Sequence, residues 1–169
     1  GNVGGQLEQG RIYGCDGVNR AWEFDGTLVV PIDANLPSIS STLGAHGPWI
    51  APSHIMIHHN HLFLGLKSSV LFSGVGTPFD HSATAGGGEL TASDQVTGFS
   101  VLPGSQASGA MAVFSRNRTA ILYGTALAGS EPFDLVSFET ETGAIAGTNQ
   151  RLDRVYYLDD RGVIDLKAA

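Results

Sequence analysis

Two stretches of this 169-residue chain are versions of one another. LFLGLKSSVLFSG (62–74) and AVFSRNRTAILYG (112–124) each hold an apolar strand, a short polar turn, a second apolar strand and a closing glycine, with Gly74 and Gly124 fifty positions apart. YGCDGVNRAWEFDG (13–26), closing at Gly26, fits the same template one period earlier, and VYYLDDRGVIDLKA (155–168) fits it about 44 residues later. After the two middle copies comes the same tripeptide, Pro78-Phe79-Asp80 and Pro132-Phe133-Asp134, with four extra loop residues in the second. A period of roughly 45 to 50 residues is that of a four-stranded propeller blade. The expectation is an all-β chain of antiparallel blades, a β-propeller or part of one, with blade hairpins near 12–26, 62–74, 112–124 and 155–168 in a single domain over 1–169. A β-sandwich is the alternative. A closed propeller takes about four to eight blades, and this length supplies about three and a half at that period. The chain is therefore read as a fragment of something longer or as blades completed by neighbouring chains; its first residue, Gly1, is not an initiator Met.

The rest of the chain fits a strand-and-turn reading. Runs of apolar, often β-branched or aromatic residues are bounded by Gly, Asn, Asp, Ser and Pro, and helical periodicity is hard to find. The predicted strands are 12–16, 21–25, 27–32, 54–59, 61–66, 69–74, 97–103, 110–116, 119–124, 133–139, 154–159 and 162–168. The 23 glycines disfavour long helices and suit a chain that reverses often. Residues 36–49 and the glycine-rich 81–95 read as long loops.

Charge narrows the partners. With 9 basic against 16 acidic residues the net charge is −7, a surface that repels phosphate backbones and anionic lipid. Specific nucleic-acid binding is not expected, although an acidic wall does not exclude DNA passing nearby, since a conduit needs a surface to which DNA fails to stick, and charge does not separate the two cases. Cys15 is the only cysteine, so neither an internal disulfide nor a thiolate metal cluster forms, and synthesis in a reducing compartment is expected. No run reaches the length of a membrane span and no secretion signal is visible at the start.

The groups with chemical potential read first as structure. His58, His59 and His61, with His54 just before them, form the densest cluster of metal-ligand types. On one extended strand His59 and His61 share a face and His58 looks the other way. A zinc site needs three or four converging ligands, and the simpler reading is a polar turn at His59-Asn60-His61. Ser73 lacks a nucleophile elbow around it, and Cys15 lies in a predicted strand as a core thiol. Asp153, Asp159, Asp160, Asp165, Glu139 and Glu141 offer carboxylates for glycoside hydrolysis, but Asp159-Asp160-Arg161-Gly162 reads as a hairpin turn. Gly86-Gly87-Gly88 has no following Lys-Ser or Lys-Thr and opens no helix, so it fails as a phosphate loop. Trp22, Trp49, Tyr13, Tyr156 and Tyr157 are candidates for sugar stacking, or for packing between blades. The reading therefore assigns no catalytic, cofactor or metal residue.

TGFSVLPG (97–104), GAMAVFSRNRTAILYGT (109–125), PFDLVSFETETGAIA (132–146) and RVYYLDDRGVIDL (154–166), taken in that order, resemble tail-associated virion proteins of tailed bacteriophages. The likeness covers roughly residues 54 to 166. It implies a non-catalytic structural component of the virion, a tail nozzle or hub subunit that self-associates and shapes a channel. It further implies copies of itself and neighbouring tail proteins as partners, assembly into the virion after synthesis in the host cytoplasm, no cofactor and no membrane insertion. Two alternatives stand beside it: a carbohydrate-binding propeller module for host attachment, and a propeller-type glycoside hydrolase. This chain is much shorter than such tail proteins, and no receptor-binding motif carries over.

Overall fold

A computed structural model describes residues 10–33, 51–103, 109–125, 132–139 and 141–166. Within them the chain is all-β. The strands are β1 (Ile12–Gly14), β2 (Trp22–Phe24), β3 (Val29–Pro31), β4 (His54–His58), β5 (His61–Leu66), β6 (Ser69–Phe72), β7 (Gly88–Thr91), β8 (Val96–Val101), β9 (Met111–Ser115), β10 (Thr119–Tyr123), β11 (Asp134–Glu139), β12 (Gln150–Arg151), β13 (Val155–Asp159) and β14 (Gly162–Leu166). They form four sheets in which sequence neighbours are also spatial neighbours: β1-β2-β3, β4-β5-β6-β7, β8-β9-β10-β11 and β12-β13-β14. Short antiparallel meanders of this kind follow from frequent turns, because parallel pairing needs a long crossover. The predicted loop 36–49 and Trp49 lie outside the described residues.

The chain groups into two compact units, one holding β1–β5 and most of β6 and β7, the other holding β8–β14. In the first, Leu62, Leu64 and Leu71 pack with Ala21 and Ile32, and Tyr13, Cys15, Ile55 and Leu66 flank them. Each fully buried leucine contributes about 1.5–3 kcal/mol. Tyr13, Glu23 and Val30 lie opposite one another in one cross-strand row. The Glu23 carboxylate on that row is buried, and the Arg11 guanidinium pairs with it. In the second unit Leu102, Ala112, Phe114 and Ile121 meet Ala144, Val155, Tyr157 and Leu166. The Phe114 and Tyr157 rings stand 4.9 Å apart, and the Tyr157 hydroxyl shares a 3.0 Å hydrogen bond with Thr142 Oγ1. The strands β5 and β9 are buried on both faces.

That double burial explains a correction to the repeat. In the β5–β6 hairpin the Ser73 N–H donates to the Leu62 carbonyl, so these two residues stand opposite. Met111 stands opposite Leu122 in β9–β10, and Val155 opposite Leu166 in β13–β14. Leu62, Met111 and Val155 thus hold one place in the hairpin, at spacings of 49 and then 44 residues. Two-residue turns close all three: Lys67-Ser68, Arg116-Asn117 inside a Ser115 N–H to Arg118 carbonyl bond, and Asp160-Arg161. Aligning letters at fifty is one residue out of step, and a step of one sends every side chain to the opposite face. Leu62, Leu64 and Leu71 accordingly pack toward β1–β3, whereas Ala112, Phe114 and Ile121 pack toward β12–β14. Where both faces are apolar, the alternation that would have set the phase is absent from the sequence.

The other predicted copy, 12–26, does contain a paired hairpin, β1–β2. Its connection is longer, and the tight turn of that sheet, Gly26-Thr27, lies between β2 and β3. The Pro-Phe-Asp tripeptides are not equivalent. Phe133 is buried and Asp134 opens β11 opposite Tyr123, whereas Phe79 is exposed in a turn closed by the Asp80 N–H to Thr77 carbonyl bond, ahead of β7. The predicted loop 81–95 also contains a strand, β7, preceded by a 3₁₀ turn over Ala83–Ala85 that the Ser82 side chain caps.

Candidate functional site

The histidine-bearing end of the β4–β7 sheet is the first place where the sequence suggested chemistry. Strand β4 reverses into β5 through His59 and Asn60, whose φ angles are +48° and +60°. Two consecutive left-handed residues define the turn whose twist matches a hairpin. The reversal changes the expected facing. His58 and His61 are cross-strand partners, so these two share a face, and His59 sits in the turn between them. Both partners are buried, and the His58 and His59 rings are 4.1 Å apart. His61 lies edge-on to Phe72, 6.0 Å between ring centres, and its Nδ1–H donates to the Ser73 carbonyl.

The fold thus brings His61 and Ser73 together, a juxtaposition the sequence reading missed. It is not a nucleophile–base pair. The imidazole bonds the carbonyl of Ser73 and not its hydroxyl, while the hydroxyl accepts from the Leu62 N–H at 2.9 Å and donates to the Gly74 carbonyl at 2.9 Å. Both groups hold β5 against the end of β6. Among the described residues no set of three or more His, Cys, Asp or Glu side chains is placed to grip a metal ion.

The remaining candidates are dispersed. Burial pushes the Cys15 thiol up to about 11, with the Asp16 charge adding to the effect, so it is protonated at neutral pH and a poor nucleophile. Asp160 sits in the β13–β14 turn and binds the Arg116 guanidinium through both oxygens, at 2.8 and 3.0 Å. Asp159 is buried at the end of β13, with Arg161 3.9 Å away. Asp165 pairs with Arg154 at 2.8 Å, and Asp153 accepts from the Tyr156 hydroxyl at 3.2 Å. Glu139 ends β11, and Glu141 offers its backbone carbonyl to Arg161. Of these carboxylates, Asp153, Asp159, Asp160 and Asp165 serve hydrogen bonds and ion pairs in and beside the β13–β14 hairpin. Gly86 ends the 3₁₀ turn and Gly88 begins a strand. Of the aromatic residues, Tyr157 is buried in the core of the second unit and Tyr13 flanks that of the first. Trp22 and Tyr156 keep partial exposure.

No family model, curated protein or solved structure matches the chain. No helix among the described residues is long and apolar enough to cross a membrane.

What stands out is apolar side chains displayed on strands. In β1–β3 the face turned away from the core carries two cross-strand rows, Ile12-Phe24-Val29 and Gly14-Trp22-Pro31. The indole of Trp22 lies directly over Gly14, where a Cβ would overlap the ring. All six positions are apolar or glycine. In β12–β14 the outward face carries Leu158 opposite Val163 and Tyr156 opposite Asp165. Ordinary surface strands alternate apolar-in and polar-out, and β1–β3 does not.

Proposed function

We propose that this chain is a structural, self-associating β-sheet component of a virus particle, of the tail nozzle or hub type implied by the likeness to tailed-phage proteins. One observation carries the reading: cross-strand apolar rows stand exposed on regular strands, where a solitary globular protein would place polar residues. The acidic surface agrees with a conduit that DNA passes without adhering. Sedimentation and electron microscopy of the protein test it. Assemblies larger than the 17.6 kDa chain, growing with concentration, are the expected result, together with recovery of the chain from purified particles of the virus that encodes it. A monomer at every concentration would remove this reading.

A second reading, a carbohydrate-binding module, draws on Trp22 and Phe24 on the outward face of β1–β3, since flat aromatic faces stack on sugars. A glycan array with no hits would end it.

A further inference from the structure

The common register of the hairpins says what should cover the outward face of β12–β14. At the 44-residue spacing, Tyr156, Leu158, Val163 and Asp165 occupy the places held in β9–β10 by Ala112, Phe114, Thr119 and Ile121. Those four are at most 1% exposed, and three of them, Ala112, Phe114 and Ile121, lie in the core shared with β12–β14. In β13–β14 the same places look outward: Leu158 is 38% exposed and Val163 is 76% exposed. The position is built for a sheet stacked upon it. At the other end of the chain, the outward rows of β1–β3 present a wholly apolar face with Ile12 58% and Val29 57% exposed.

From this continuity with the sheet-on-sheet interface inside the second unit, we infer that the outward face of β12–β14 in one molecule docks onto the outward face of β1–β3 in a second copy of this chain. The inference deepens the self-associating reading above and rests on it. The contact is heterologous, joining two different patches. It therefore propagates, closing into a ring or extending as a filament according to the rotation between copies. Leu158 and Val163 would meet the Ile12-Phe24-Val29 row, sheet against sheet at the usual spacing of about 10 Å. The ion-paired Asp165 and the hydrogen-bonded Tyr156 form a polar margin, the anatomy expected of an interface with an apolar centre.

Val29→Asp disables one face and Val163→Asp the other, and both sites are exposed, so the fold should be kept; circular dichroism and the thermal midpoint check this. Val29→Lys and Val163→Lys form a second pair with opposite charge. Placing a charge in an apolar contact should weaken self-association at least about tenfold for each variant alone. An equimolar mixture of the two variants retains one intact pair of faces, so it should give a one-to-one dimer that grows no further in sedimentation velocity. Variants that each assemble like the wild type would overturn the docking while leaving self-association through other surfaces. Variants that are monomeric both alone and mixed, or Val163→Asp assembling normally while Val29→Asp does not, would overturn the pairing of these two faces. A wild-type chain that stays monomeric would overturn both this inference and the reading beneath it.

Discussion

His81 is fully buried with no protein hydrogen bond to either ring nitrogen, and burial drives its pKa down to about 4 from 6.5, with the Asp80 charge opposing slightly. The native state therefore holds a neutral imidazole. In the unfolded chain the ring takes up a proton near its ordinary value, so the stabilisation is complete above about pH 6.5 and is lost as pH falls toward 4. The two values correspond to about 3 kcal/mol. His54, lowered for the same reason of burial, acts in the same direction. A thermal midpoint that declines between pH 7 and 4, with the decline reduced in His81→Leu, is the expected result, and a flat profile would refute it. Carboxylates whose hydrogen bonds hold their pKa low, such as Asp16 through the Asn19 and Val18 N–H groups and Asp25 through those of Leu28 and Thr27, titrate below that window. Glycine matters here through close approach. Gly143 passes over the Arg116 turn so tightly that a Cβ would overlap the Ser115 and Arg116 backbone. Gly143→Ala should cost about 1–3 kcal/mol in denaturant unfolding, although the sequence Glu-Thr-Gly-Ala gives no hint of it.

Individual strands were the most legible level. All twelve predicted strands are present, because apolar runs flanked by Gly, Asp, Asn and Ser are a direct record of strands ended by turns. The two that were missed had little to show. β7 is Gly-Glu-Leu-Thr with a single large apolar residue, and β12 is only Gln150–Arg151, so both are strands by pairing more than by composition. The phase of the repeat was hidden for the reason that makes β5 and β9 good core strands, their burial on both sides. The candidate site was less legible still, since the contact between His61 and Ser73 arises from pairing across the β5–β6 hairpin, between residues twelve positions apart. The Phe114–Tyr157 contact gives a test at this level. Tyr157→Ala should cost about 3–5 kcal/mol by opening a cavity between the two sheets. Tyr157→Phe, which removes only the hydroxyl bonded to Thr142, should cost about 1 kcal/mol. Equal losses from the two changes would mean that the hydroxyl, and not the ring, holds the sheets together.

For the molecule as a whole, net charge and apolar faces act against each other. Copies that each carry −7 repel, and the repulsion is screened by salt over a Debye length. Self-association through apolar sheet faces should therefore strengthen as salt is added, read as a rising weight-average mass in sedimentation equilibrium; weakening by salt would indicate contacts made of ion pairs instead. The change from a 49-residue to a 44-residue spacing between hairpins that keep one register also sets a rule for insertions and deletions. Length can change freely only in the connections. Losing a single residue from the middle of β9 would turn the rest of that strand inside out, exchanging the neighbours of Ala112 and Phe114 for those of Met111 and Val113, while removal of a pair would restore the facing. Tolerance to deletion along this chain should therefore alternate between odd and even counts within strands and lose that parity in the loops.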